Sequence, residues 1–129
     1  MRTIELSEVT AKIKSMFIDA CENIPNNVLE ALAKASEQEQ SPLGKQVIDK
    51  IIENDKLARE KHLPICQDTG VAVVMLTIGS EVVFHGDIYE AVNEGVRQAY
   101  TEGYLRKSVV RHPLDRVNTR DNTPAIVHI

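Results

Sequence analysis

The stretch Leu63-Pro64-Ile65-Cys66-Gln67-Asp68-Thr69-Gly70-Val71-Ala72-Val73-Val74-Met75-Leu76-Thr77-Ile78 decides how the rest of the chain is read. Its first half sets a thiol, an amide, a carboxylate and a hydroxyl side by side between a proline and a glycine, residues that impose a tight, non-helical course. Its second half, mostly β-branched and apolar at odd and even positions alike, predicts a strand buried on both faces. Such a turn suits metal or anion chemistry.

Downstream, Gly79-Ser80 makes a turn and Val82-Val83-Phe84 a second short strand, expected to pair antiparallel with the first. Asp87 with Glu90 resembles a capping box and opens a helix that reaches about Glu102, with Ile88, Ala91, Val92, Val96 and Ala99 on its apolar face. Upstream, Ser41-Pro42 starts a helix whose buried face is expected to be Leu43, Val47, Ile48, Ile51 and Ile52. Before it, Pro25-Asn26-Asn27 caps a helix with Val28, Leu29, Leu32 and Ala33 on one side. Ser7 is the expected N-cap of a first helix with Val9, Ile13, Met16, Phe17 and Ala20 in register. Cys21 falls beside that stripe and reads as a small core residue. The fold class is therefore α+β, an N-terminal helical layer packed on a small mixed β-sheet. Residues 1–129 read as a single domain, helical over 1–60, with strands, one helix and site loops over 61–129.

A chain of 129 residues, 43% of them apolar, can bury a real core in one domain. Its net charge of −4 argues against a nucleic-acid partner, and no apolar run approaches the roughly 20 residues of a membrane span. The start lacks an apolar signal core. Two cysteines outside any C-x-x-C arrangement indicate no disulfide scaffold, so reduced thiols and a cytoplasmic location are expected. Charge is unevenly spread: Arg106, Lys107, Arg111, Arg116 and Arg120 face only Asp115 between Gly103 and Arg120. Such an island steers a small anion, or is simply a solvated basic loop. The sequence stops inside the apparent strand Ala125-Ile126-Val127-His128-Ile129, which reads as the N-terminal part of a longer polypeptide.

A nucleophilic role for Cys66 needs a cation or base beside it, and Leu63-Pro64 breaks the helical approach of His62. As a soft ligand Cys66 suits an iron–sulfur cluster or zinc, but such a site needs three or four donors. Two explanations stay open on the residues alone: a structural cysteine in a loop, or a site completed by other segments. Gln67, Asp68 and Thr69 favour the second, because packing rarely spends three adjacent polar groups. His85 has no partner at ligand spacing.

Pro64-Ile65-Cys66-Gln67-Asp68-Thr69-Gly70, the valine-rich strand, Leu105-Arg106-Lys107-Ser108 and Asn118-Thr119-Arg120-Asp121-Asn122-Thr123-Pro124-Ala125, in that order, resemble the N-terminal part of the iron–sulfur (class I) fumarate hydratases and the related L-tartrate dehydratase alpha subunits. The resemblance implies a hydro-lyase that reversibly hydrates fumarate to malate. It also implies a [4Fe-4S] cluster held by three cysteines, with one iron open to substrate. Cys66 matches the first of those cysteines. Gln67 and Asp68 match positions that contact the substrate, and Arg106 matches an arginine that holds a carboxylate. Thr69 and Gly70 belong to the motif as shapers of the turn, and Arg111, Arg116 and Arg120 remain electrostatic support. The other cluster ligands and the catalytic residues are expected outside these residues, in a C-terminal domain or beta subunit of an oligomer. The isolated chain is accordingly expected to be inactive. L-tartrate is the alternative substrate. From a different class, the chain is a non-catalytic interaction fragment with a structural cysteine.

Overall fold

The computed structural model describes residues 1–129. In chain order it contains β1 (Arg2–Thr3), α1 (Leu6–Glu22), α2 (Asn26–Gln38), α3 (Pro42–Lys61), β2 (Val73–Met75), β3 (Val82–Val83), α4 (Ile88–Glu102) and β4 (Ile126–His128). The class is α+β. Two compact units share these elements, one built from Met1–Ile18 with Gln67–Ile129, the other from Asp19–Cys66.

The Asp19–Cys66 unit is helical. Ser41 caps α3 by accepting from the Gly44 amide at 3.3 Å, and Pro42 occupies the first turn, where its missing N–H costs nothing. At the other end His62 adopts a left-handed conformation (φ 53°) that stops α3 before Leu63-Pro64. The segment that follows folds back within the unit: the Ile65 amide donates to the Cys21 carbonyl at 2.9 Å, and Asn54 Nδ2 donates to the Ile65 carbonyl at 2.9 Å. The expected buried face of α3 is corrected. Leu43, Val47 and Ile51 are exposed, Ile48 and Ile52 are half-buried, and the buried positions are Asp55 and Ala58. In this unit α2 is the main helix laid along α3, and one neighbour covers only one side of so broad an apolar stripe.

In the other unit α4 is the core helix. Asp87 caps it by accepting from the Tyr89 and Glu90 amides, and Ala91, Val92, Gly95, Val96, Ala99 and Tyr100 are buried. Ile13 of α1 and Ala72 and Val74 are also buried in this unit, from distant parts of the sequence. Thr10 Oγ1 donates to the Ala91 carbonyl at 2.9 Å, and Lys14 pairs with Glu102. Helix α1 begins at Leu6, so Ser7 lies inside it rather than at its cap.

Strand pairing departs from expectation. Both sheets are parallel pairs: β1 with β3 in the register Arg2↔Val82, and β2 with β4 in the register Val73↔Ile126. The antiparallel hairpin expected between the two valine-rich segments does not form, because each takes a partner from a chain end; the Ile4 amide bonds the Val83 carbonyl at 3.1 Å and the Leu76 amide the His128 carbonyl at 2.8 Å. Burial on β2 is one-sided as well, with Ala72 and Val74 buried and Val71, Val73 and Met75 exposed.

Candidate functional site

The turn after Cys66 is shaped by its own side chains. The Gly70 amide donates to Asp68 Oδ1 at 2.8 Å, an Asx-type closure, and Gly70 itself sits at φ 72°, where a side chain would be strained. Thr69 does more than shape the turn. Its Oγ1 accepts from the Arg106 amide at 2.9 Å and donates to the Arg106 carbonyl at 3.2 Å, so one hydroxyl joins the turn to the start of the basic segment. The buried Tyr100 of α4 supports this joint by donating from its hydroxyl to the Thr69 carbonyl at 2.7 Å.

The segment beyond Arg106 is fastened by asparagines. Asn118 Nδ2 donates to the Lys107 carbonyl at 2.8 Å. Asn122, fully buried and left-handed at φ 63°, accepts on Oδ1 from the Ser108 amide at 2.7 Å and the Val109 amide at 3.0 Å. Its Nδ2 donates to the Gly70 carbonyl at 3.1 Å. Three motifs far apart in sequence thus form one backbone-to-side-chain lattice, from which Gln67, Asp68 and the Arg106 side chain project as exposed groups. The Arg106 guanidinium makes no hydrogen bond or ion pair within the chain, and its five donors can meet a carboxylate edge-on. Arg111, Arg116 and Arg120 are exposed too, the first two on the loop closed by the Val110–Asn118 bridge.

Cys66 is the last residue of the helical unit. Its thiol is exposed and unbridged, and it lines an open groove of about 690 Å³ with Val47, Ile51, Asn54, Asp55 and Ile65. The carboxyl of Asp55 is buried with no hydrogen-bond partner on either oxygen, and that burial pushes its pKa up. Cys21 is half-buried; burial first, and the neighbouring Glu22 charge second, raise its thiol pKa, which suits a packed residue rather than a ligand. His62 turns to Glu22, with Nδ1 3.1 Å from Oε2. No group of three or more His, Cys, Asp and Glu side chains is placed to hold a metal ion.

Sequence reasoning singled out Cys66, Gln67, Asp68 and Arg106, and missed the supporting roles of Tyr100, Asn118 and Asn122. Both asparagines lie in a stretch that carries the family likeness, and that was their only signal. Tyr100 continues the stripe of Val92, Val96 and Ala99, so periodicity presents it as one more core residue.

Comparison with known proteins finds similarity over most of the chain. A Methanocaldococcus jannaschii protein, named provisionally as an L(+)-tartrate dehydratase subunit alpha, is 39% identical over 120 residues, covering 89% of this chain and 41% of the relative. The L(+)-tartrate dehydratase subunit alpha of Escherichia coli strain K12 is 28% identical over 119 residues, covering 92% of this chain and 38% of the relative. The chain therefore spans about two fifths of the length of these relatives. The model of the fumarate hydratase (Fumerase) family matches residues 10–129, which takes in every motif described above, and the chain belongs to that family of hydro-lyases.

Proposed function

We infer that the chain supplies part of the active site of an iron–sulfur hydro-lyase that reversibly hydrates fumarate to malate. The observation that carries this reading is the Thr69–Arg106 joint, which sets the turn bearing Asp68 beside the residue whose guanidinium has no partner in the chain. Arg106 would take a substrate carboxylate through a bidentate pair. Gln67 would donate from its amide, and Asp68, with one oxygen already held by Gly70, would use the other to align the substrate hydroxyl. The exposed, unbridged thiol of Cys66 fits one ligand of a [4Fe-4S] cluster, whose open iron would act as Lewis acid toward the hydroxyl that leaves. One thiolate does not retain such a cluster, so the remaining donors and the catalytic base belong to chain outside these 129 residues or to a beta subunit. By this reading the isolated chain is colourless and inactive, and the working assembly is an oligomer. No helix is long and apolar enough to cross a membrane, and a cytoplasmic location fits the free thiols.

The names of both relatives favour a second reading, L-tartrate dehydration, which differs by one substrate hydroxyl. The test is anaerobic reconstitution of the complete assembly with iron and sulfide, followed by assays of fumarate, malate and tartrate side by side. Malate–fumarate interconversion, lost together with the visible absorption in Cys66→Ala, is the expected result. Tartrate dehydration without malate turnover would select the second reading. A Cys66→Ala assembly that keeps its iron and its activity would remove both.

A further inference from the structure

We propose that Asn122 is a positioning residue that locks the Arg106 segment onto the Asp68–Gly70 turn and so sets the aim of the carboxylate-binding guanidinium. It acts only through backbone groups. One end of its amide holds the two N–H groups that follow Arg106 and Lys107, those of Ser108 and Val109, and the other end holds the Gly70 carbonyl. The Gly70 amide in turn donates to Asp68 Oδ1, so the two polar groups of the Gly70 backbone link the Asp68 carboxylate, through Asn122, to the residues after Arg106. Thr69 grips Arg106 from one side and Asn122 grips the chain two and three residues later. Together they leave the arginine backbone little freedom to rotate while its side chain stays in solvent.

The chemistry calls for asparagine. The position needs an acceptor with two lone pairs, a donor on the same planar group, and tolerance of a left-handed backbone at φ 63°. Aspartate supplies the acceptor but no donor, and glycine supplies the backbone but neither. Full burial makes the unmade bonds costly, because no water replaces them.

The inference rests on the functional reading above, and its test has two arms that fail separately. In the chain itself, amide hydrogen exchange is followed for Asn122→Gly, chosen because it keeps the left-handed backbone, and for Asn122→Asp. Exchange at Ser108 and Val109 is expected to accelerate at least tenfold in Asn122→Gly and by less in Asn122→Asp, which keeps the acceptor for both amides but leaves the Gly70 carbonyl without its donor; unchanged exchange in Asn122→Gly would overturn the clamp. In the reconstituted assembly, Asn122→Gly is expected to raise the dicarboxylate KM tenfold or more, with iron content and visible absorption per protein unchanged. Val92→Ala, a core truncation of α4 away from these bonds, serves as the control and is expected to lower Tm without moving KM. Equal KM values for wild type and Asn122→Gly would overturn the positioning role. A wild-type assembly that turns over no dicarboxylate would instead overturn the functional reading, and the exchange arm would still decide whether Asn122 holds the two loops.

Discussion

Gly95→Ala should weaken the unit that carries the Asp68 and Arg106 loops, by an amount the packing around it sets. A Cβ at position 95 would lie 2.7 Å from Ile13 Cβ, 2.8 Å from Ile13 Cγ2 and 2.8 Å from the Thr10 carbonyl oxygen. Ordinary contact begins near 3.4 Å, so α1 and α4 must part by about 0.7 Å at their point of closest approach. The Thr10 Oγ1 bond to the Ala91 carbonyl, 2.9 Å long, would stretch to about 3.6 Å, beyond hydrogen-bonding range. Overpacking costs about 1–3 kcal/mol and the lost bond about 1 kcal/mol, while alanine in place of glycine inside a helix returns about 1 kcal/mol. The net expectation is a loss of about 1–3 kcal/mol. The chain has no tryptophan, so urea unfolding is followed by far-ultraviolet circular dichroism, where the midpoint should fall with the slope unchanged. A Gly95→Ala protein as stable as the wild type, or more so, would refute the close α1–α4 approach.

Two further outcomes complete those given with the function. Tyr100→Phe keeps the ring that sits 6.4 Å from Phe17 but removes the hydroxyl that donates to the Thr69 carbonyl; a loss of about 1 kcal/mol in urea unfolding is expected, with faster exchange at the Arg106 amide. Asp55 has a folded pKa above its unfolded one, so the cost of its buried charge is absent below the ordinary aspartate value and grows as pH rises through the folded pKa. Asp55→Asn should match the wild type in acid and exceed its stability by about 1 kcal/mol near neutrality, and urea midpoints across that range that run in parallel would contradict it.

What was legible in the fold is what short-range chemistry decides. Ser41-Pro42 and Asp87 cap α3 and α4 as read, because a cap is a bond between near neighbours. Strand partners were not legible. A valine-rich run states that it will pair, and here it overstated its cover, since Val71, Val73 and Met75 are exposed; β1 and β4 lie at opposite ends of the chain, and nothing local in Val73–Met75 or Val82–Val83 distinguishes them as partners. The α3 stripe failed for a related reason: Leu43, Val47 and Ile51 have the periodicity of a buried face, yet periodicity does not say whether a neighbour is present to bury it.

The site divides in the same way. Cys66, Gln67 and Asp68 stood out as adjacent polar groups that packing rarely spends together, and Arg106 through the family likeness; all four are exposed. Asn118, Asn122 and Tyr100 did not stand out, because their work is to satisfy backbone groups, and an asparagine that does so looks in sequence like any loop asparagine. The distinction matters for how the exposed side chains are held. An exposed guanidinium on a free loop samples many directions and gains little from one carboxylate, since ordering it on binding costs about 1–2 kcal/mol in side-chain entropy alone. With the Arg106 amide and carbonyl held by Thr69 and the Ser108 and Val109 amides by Asn122, the backbone that carries the guanidinium is already ordered in the folded chain, and only the side chain is left to order. The residues hardest to find in the sequence are therefore those that fix the backbone behind Arg106.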